Sequence, residues 1–564
     1  MAAAANPLPR PSTEPKGQDS KSVVLGQAAN EFVFAVVGHV GSGTSLIAET
    51  LKERLSETTL DGGPFDVEIL KASSVIKAWA LENKQPIPTR SSQSLAYTTA
   101  LQDLGDKMRS ALTVNGPDHS AVARRLILKV RESRAAKTGT TVSTGDPVAP
   151  DGKRRAYILD SLRNPAEVHL LRHVYQDAFV LIGVVCEESK RLSRLQQGKY
   201  QDDGRKPIEA FMLRDAEAKE KYGQQVADTF HLSDFFVDNT IDRYVDPDKK
   251  VGNPDWDTND RLSRLVSILT HSEIVRPEMA EIAMHHARGA MMQSACLSRQ
   301  VGAALVDQSG NVVATGTNEV PKAGGGVYGE LRPDAPTSSS RRSQATPGQF
   351  TPAQFTMLPA ADDRCAYRAD KYCSNTREQN DIILKLIEEV PELNSASPER
   401  KEQLRLSLRK TKIGSLLEFS RAVHAEMDAL FSAARQGISP VGTRLYVTTY
   451  PCHYCARHLV ASGVDEVQFI EPYPKSLAIE LHSDAIQTTA KDWLPPSQGG
   501  TKVLFRPFSG VAPRLFNRAF LKDRPLKDKN TGVLKIDAPD WGAPWHLRKE
   551  SYVTLEALLE KDLR

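Results

Sequence analysis

No apolar stretch in this chain approaches the roughly 18 residues that a membrane-spanning helix needs, so none is expected. The first ten residues hold no apolar core of signal-peptide length. Cysteine is scarce, with six in 564 residues, and apart from the close pair Cys452 and Cys455 their spacing suggests no disulfide framework. These absences point to a reducing compartment, expected to be the cytoplasm, and to no membrane partner. An excess of charge of either sign is lacking too. The 73 basic and 70 acidic residues leave +3, which argues against a large nucleic-acid footprint. Stable nucleic-acid binding is therefore not expected, while a regulatory RNA or protein partner stays open. What is present is ordinary for a globular protein, 40% apolar and 25% charged residues. The length suits roughly two to four domains.

One short constellation carries most of the chemistry. His424-Ala425-Glu426 is followed by Pro451-Cys452-His453-Tyr454-Cys455. An H-x-E followed by a P-C-x-x-C is the signature of zinc-dependent nucleobase deamination. His424, Cys452 and Cys455 can fill three corners of a zinc tetrahedron and leave the fourth to water, whereas a fourth protein ligand would close the site. Zinc brings the pKa of such a water towards 7. Glu426, two residues from the histidine, can reach that water without ligating the metal and is the candidate general acid and base. Residues 415–423 lead into His424, and 427–431 follow at helical spacing. Residues 444–449 read as a buried strand, and Pro451 is expected to start a helix with both cysteines in its first turn. A structural zinc knuckle or a redox pair would need the C-x-x-C but not the H-x-E.

A second pattern lies near the start. Residues 31–37 are a continuous apolar run, as in a buried strand of a parallel sheet. They lead into Gly38-His39-Val40-Gly41-Ser42-Gly43-Thr44-Ser45, and a helix is expected over 46–55. Strand, glycine loop and helix make the setting of a phosphate-binding loop. Gly38, Gly41 and Gly43 would let backbone N–H groups close on phosphate oxygens, and Ser45 stands where a hydroxyl holds Mg²⁺. The usual lysine is lacking and Thr44 has its place, which argues against phosphoryl transfer but keeps a nucleotide with Mg²⁺ as a candidate ligand. A strand over 157–160 ends in Asp160, a candidate for the metal side. Further strands are expected over 178–185 and 234–239. Lys190, Arg191, Arg194, Arg205 and Lys206 are either a lid over phosphates or a solvated helix face. The alternation of strands and helices gives a doubly wound α/β domain.

Residues 242–258 are turn-rich and read as a linker. A helix then opens at Arg276-Pro277-Glu278, and its His285 and His286 are read as surface and packing residues rather than ligands. Strands 301–306 and 312–316 form a hairpin ending near Asn318, whose amide either grips a sugar hydroxyl or caps a turn. Residues 322–355 are rich in Gly, Ser, Pro, Arg and Gln, and helices are expected around 376–390 and 399–412. Cys365 and Cys373 there are expected as free thiols. Strand 467–470 runs into Glu471-Pro472-Tyr473-Pro474-Lys475-Ser476, a loop at a strand's carboxyl end, where α/β sheets bind ligands. Tyr473 or Lys475 could meet a nucleotide there. Residues 511–564, with Arg514, Arg518, Arg524 and the Trp541 to Trp545 segment, read as a docked tail.

The H-x-E, the P-C-x-x-C, Arg299-Gln300-Val301-Gly302-Ala303 and Gly316-Thr317-Asn318 together resemble the deoxycytidylate deaminase family. With the glycine loop and 471–476 added, residues 31–535 resemble the bacterial anti-phage dCTP deaminases. The resemblance implies an α/β chain with a P-loop nucleotide-kinase-like doubly wound domain (31–245) and a cytidine deaminase-like α/β/α domain (258–510, with an insertion at 322–414), while residues 1–30, rich in Ala, Pro, Ser, Gln and Lys, read as a flexible tail and 511–564 as a C-terminal extension. It implies conversion of dCTP, and also of dCMP, to the deoxyuridine nucleotide, starving phage DNA synthesis of dCTP. It assigns Zn²⁺ to His424, Cys452 and Cys455, proton transfer to Glu426, deoxyribose contact to Asn318 and phosphate contact to Arg299. A homo-oligomer is expected. The rival within enzymes is a deaminase that edits tRNA or single-stranded DNA, using the same zinc chemistry on a flipped base. A regulatory protein with a decayed deaminase fold would be expected to have lost Glu426.

Overall fold

The computed structural model describes residues 29–57, 63–89, 94–141, 143–329, 365, 371–473, 476–522, 525–535, 553–554 and 556. Most of the expected tail, residues 330–364, Lys475, Arg524 and the Trp541 to Trp545 segment lie outside them. The chain divides into two compact units, residues 1–276 with 517–564 and residues 277–516. Among the described residues no helix is long and apolar enough to cross a membrane.

In the first unit, strands β1 (Glu31–Val37), β2 (Asp66–Lys71), β3 (Arg155–Asp160), β4 (Phe179–Val185) and β5 (Phe235–Asp238) run parallel, in the spatial order β5-β4-β1-β3-β2. Every residue of β1, β3 and β4 is buried. That is why they read as unbroken apolar runs, since a parallel sheet is covered on both faces. Helices α1 (Thr44–Glu57), α2 (Ala72–Glu82), α3 (Leu95–Ser110), α4 (Ala121–Thr138), α5 (Pro165–Tyr175), α6 (Glu188–Arg194) and α7 (Arg205–Ala216) join and cover the strands. Chain order reverses on either side of β1, so the turn leaving β1 lies at the sheet's switch point, where such sheets form a crevice.

The linker expected over 242–258 holds a small antiparallel pair, Tyr244–Asp246 with Val251–Gly252. Helix α8 (Thr258–Thr270), which the sequence places after that linker, buries Leu262, Leu265, Val266 and Leu269 and packs on α1 within the first unit. The far C-terminal residues contribute to the first unit as well. Arg134 of α4 is fully buried between two carboxylates, at 2.9 Å from Glu31 and 2.6 Å from Glu556, and the Tyr175 hydroxyl donates to Glu556 at 2.8 Å.

The second unit is a mixed sheet of strands β6 (Gly302–Val306), β7 (Val312–Thr317), β8 (Arg444–Thr449), β9 (Glu466–Glu471), β10 (Ile486–Gln487) and β11 (Val503–Pro507), in the order β7-β6-β8-β9-β11-β10. β6 is antiparallel to both neighbours, and the pairs from β8 onward are parallel. Helices α9 (Met279–Met291), α12 (Ala425–Arg435) and α13 (His453–Ser462) pack on it, while α10 (Ser374–Glu389) and α11 (Pro398–Arg409) pack on each other. Of the expected approach over 415–431, the helical part is α12 alone. His424 is extended (φ −79°, ψ 155°) because it caps that helix.

Two glycines decide how closely helices meet this sheet. A Cβ on Gly302 would lie 2.0 Å from the Ala287 carbonyl oxygen of α9, and one on Gly316 would lie 2.2 Å from the Ala425 carbonyl oxygen of α12. At both places strand backbone touches helix backbone, which only glycine allows.

Candidate active site

The two halves of the sequence motif arrive on different elements. Chain leaving β8 reaches Pro451 and then Cys452, which is the N-cap of α13. Its Sγ accepts from the Cys455 N–H at 3.5 Å. Pro451 thus precedes the cap rather than opening the helix, because the cysteine sulfur itself does the capping. Cys455 lies in the first turn, and the helix's positive end favours a thiolate at the capping Cys452. His424 caps α12, with Glu426 in that helix's first turn.

These termini meet. His424 Nδ1 is 3.3 Å from Cys452 Sγ and 3.4 Å from Cys455 Sγ. One donor atom from each of the three lies within 4.8 Å of the others, and Cys452 and Cys455 are 5% and 1% exposed. Two cysteine sulfurs and an imidazole nitrogen at this spacing suit zinc, with one position left for water.

Electrostatics follow from the burial. Hydrogen bonding to Cys455 and His424 brings the Cys452 thiol down to about 4. Hydrogen bonding to Cys452 lifts His424 to about 9, and Cys455 is raised well above its ordinary range, first by Cys452 and then by burial. Burial, then the Cys452 charge, pushes Glu426 up to about 7.

Supporting residues are less visible in the sequence. Asp428 accepts the Thr317 N–H at 3.1 Å and joins α12 to the end of β7. Glu319 takes the Val423 N–H on its carbonyl at 3.0 Å and the Ala295 N–H on its side chain at 2.8 Å. A glycine inside a strand pattern, here Gly316, is the one sequence signal that marks such a seat.

Asn318 is 7% exposed. Its Oδ1 accepts the Val301 N–H at 2.6 Å and its Nδ2 donates to the Arg299 carbonyl at 2.6 Å. The amide therefore braces the turn, with one N–H and one lone pair left over. Arg299 is half-exposed, 3.3 Å from Glu471, with its guanidinium 5.9 Å from the Tyr473 ring centre. Tyr473 is raised mainly by burial and also by Cys452. His285 stacks on Phe516 at 4.2 Å, and Cys373 lies 3.4 Å from the Ser298 hydroxyl.

In the first unit the glycine loop borders a cavity of about 910 Å³. Gly41 and Gly43 take φ of 85° and 88°, the left-handed region. A Cβ on Gly38 would lie 2.4 Å from the Ser42 Oγ, and one on Gly43 would lie 2.4 Å from Asn239 Nδ2. Asn239 Nδ2 donates to the Ser42 carbonyl at 2.8 Å, and the Val40 N–H donates to Asp215 at 2.8 Å. The Ser45 hydroxyl donates to Asp160 at 2.8 Å, and the Ser161 hydroxyl donates to Asp160 at 2.6 Å and lies 3.0 Å from the Thr44 hydroxyl, from which it can accept. Gly38, Gly41, Gly43, Thr44, Ser45 and Asp160 are thus gathered at one edge of the sheet.

Residues 277–471 match the cytidine and deoxycytidylate deaminase zinc-binding region. That stretch contains His424, Glu426, Cys452 and Cys455. The deoxycytidylate deaminase of Enterobacteria phage T2 is 41% identical over 54 residues, 10% of this chain and 29% of that protein. ComE operon protein 2 of Bacillus subtilis (strain 168) is 35% identical over 54 residues, again 10% and 29%. The deoxycytidylate deaminase of Mycobacterium phage D29 is 43% identical over 54 residues, 10% and 38%. The chain thus spans well under half the length of these curated relatives. Among solved structures, the apo dCMP deaminase of cyanophage S-TIM5 aligns with 16% identity and a TM-score of 0.20, over 42% of this chain and 100% of that one.

Proposed function

We propose that the second unit is a zinc-dependent hydrolase that removes the exocyclic amine of a deoxycytidine nucleotide. The observation that carries this reading is the meeting of His424, Cys452 and Cys455 within 4.8 Å, with Glu426 only 3% exposed beside them. The match of 277–471 and the likeness to deoxycytidylate deaminases support it. His424 Nδ1 and the two cysteine sulfurs would hold the ion. When bound, zinc supplies a water of lowered pKa, hence hydroxide near neutral pH. Glu426 takes a proton from the attacking water and delivers one to cytosine N3, and hydroxide adds at C4. Glu426 then takes the proton of the new C4 hydroxyl and hands it to the amine as the C–N bond breaks and the C4 carbonyl forms, so ammonia leaves and a uracil nucleotide remains.

The substrate we favour is dCTP, with dCMP as a second, and the biological outcome is depletion of dCTP during phage infection. Arg299, at the carboxyl ends of β8 and β9, is proposed to meet the phosphate, and the free valences of Asn318 the deoxyribose. Residues 38–45 of the first unit, with Ser45 and Asp160 on the Mg²⁺ side, are proposed to bind a nucleotide that regulates the enzyme. The working form is proposed as a cytoplasmic homo-oligomer.

The test is ammonia release with chromatography of products from dCTP, dCMP, CTP and a cytosine-containing single strand, each beside a Glu426→Ala control. Formation of dUTP that vanishes in the control is the expected result. Reaction of the oligonucleotide alone would replace the nucleotide reading with a nucleic-acid editing one.

A further inference from the structure

The cavity beside the glycine loop carries more positive charge than a loop without its lysine leads one to expect. Its lining holds Lys71, Lys77, Arg109, Arg163, Arg194 and Lys199 against two carboxylates, Asp160 and Asp215. Both carboxylates already accept two hydrogen bonds, Asp160 from Ser45 and Ser161, Asp215 from the Val40 N–H and Arg163. Each arginine has a carboxylate partner at 2.7 Å: Glu167 for Arg109, Asp215 for Arg163 and Asp242 for Arg194. Among the described residues no carboxylate lies within 4.0 Å of Lys71, Lys77 or Lys199. A concave site with uncompensated positive charge favours an anion.

A second, independent feature belongs to the lining of the same space. Arg109 is 2% exposed, yet its Nη1 has no hydrogen-bond acceptor and lies 3.5 Å from its nearest carboxylate oxygen, on Asp106. Buried guanidinium N–H groups are normally satisfied, so the Arg109 charge at the cavity wall is only partly met by protein acceptors. Near it Gln102 Oε1 also lacks a partner, beside the apolar faces of Ile76, Tyr97 and Leu101. Few polar groups on an apolar wall are what a planar base needs for orientation.

Lys71 has the placement to act on the phosphates. It is the last residue of β2, and its register partner on β3 is Asp160, the residue that holds Ser45. It therefore rises from the same edge of the sheet as the loop, on an exposed position. We propose that this cavity binds a magnesium nucleoside polyphosphate, with phosphates on residues 38–45, Lys71 supplying the charge that Thr44 does not, and the base on the wall of Ile76, Tyr97, Leu101 and Gln102. This rests on the reading of 38–45 as a phosphate-binding loop.

The experiment is calorimetric titration of the full chain with ATP and with GTP in the presence of Mg²⁺, neither of which carries a cytosine for the zinc centre, and with inorganic tripolyphosphate as a base-free probe. The wild-type chain should bind a nucleotide saturably. Lys71→Ala should weaken that binding roughly 10- to 100-fold, the scale of one charge-assisted contact. Lys71→Arg should retain most of it, and Thr44→Lys placed on Lys71→Ala should recover it. Melting of each variant like the wild type would show that folding is intact. If the wild type binds neither nucleotides nor tripolyphosphate, the loop reading fails and the proposal with it. If it binds, and Ser45→Ala abolishes the Mg²⁺ dependence while Lys71→Ala binds as tightly as wild type, the loop reading stands and the role of Lys71 is overturned. Tripolyphosphate binding as tightly as ATP would remove the base wall.

Discussion

Substitution of Gly316 by alanine tests whether backbone contact between β7 and α12 sets the geometry of the centre. The added Cβ would lie 2.2 Å from the Ala425 carbonyl oxygen and 2.3 Å from the Ala429 nitrogen. Ordinary contact distances are longer, so strand and helix must separate by about 1 Å. Ala425 lies between His424 and Glu426, so the movement falls on a metal ligand and the proton carrier together. Displacement of about 1 Å at a reacting group can cost roughly 100-fold in rate, while overpacking of this kind costs about 1–3 kcal/mol of stability. Gly302→Ala is the internal control. Its Cβ would meet Ala287 O at 2.0 Å and Met291 N at 2.3 Å, an equal crowding against α9, which carries none of the four motif residues. The two variants should lose comparable stability in urea. At a temperature well below both melting transitions, Gly316→Ala should lose about two orders of magnitude in kcat and bind zinc more weakly, while Gly302→Ala stays near wild type. Equal losses of activity in both variants, or wild-type kcat in a folded Gly316→Ala, would refute the seat.

Glu426→Gln keeps shape and removes the titrating group, so kcat should fall by about 10²- to 10⁴-fold with zinc content unchanged by metal analysis; loss of zinc would make Glu426 a ligand instead. Since His424 is lifted to about 9 and the Cys455 thiol lies well above its ordinary range, zinc binding at pH 7.5 should release roughly two protons, read by calorimetry in buffers of different ionisation enthalpy. Burial, with Arg191 and Arg163 adding, brings His39 from 6.5 down to about 3. Below pH 6.5 the unfolded chain therefore takes up a proton that the folded one refuses, and stability falls as pH drops from about 6.5 towards 3, by about 1.4 kcal/mol per pH unit for this group. His39→Gln should flatten that slope in urea melts, and an unchanged slope would assign it to other groups. Glu556→Ala removes one partner of the fully buried Arg134 and should destabilise the first unit by about 3 kcal/mol, measured by the same melts.

The parts of this molecule that could be read from sequence are those where one local pattern suffices. β1, β3 and β4 are continuous apolar runs because helices cover both faces of their sheet. The H-x-E and C-x-x-C could be read because helix termini hold the ligands, so the spacing within each half is fixed by a single turn. The meeting of the halves could not be derived from spacing, since 28 residues and β8 separate His424 from Cys452. The attachment of α8 to the first unit depends on which apolar face finds a partner, and a turn-rich segment before it says nothing of that. Glu556 is harder still. An acidic residue near the end of a polar tail has no signal to mark that its partner is a buried arginine 422 positions earlier.

Thr44 shows where motif reading and charge accounting diverge. Read along the chain, the loop lacks its cation, and the sequence argues against phosphoryl transfer. Viewed across the sheet, Lys71 stands at the register position of Asp160, two strands from the loop, with no carboxylate to neutralise it among the described residues. A linear motif records only charges within a few residues of the glycines. A parallel sheet brings the carboxyl ends of neighbouring strands to one edge, so a charge lost from the loop can be restored from a strand that is distant in sequence. The rescue by Thr44→Lys on Lys71→Ala is the decisive comparison, because a purely structural lysine at position 71 would leave nothing for the loop lysine to restore.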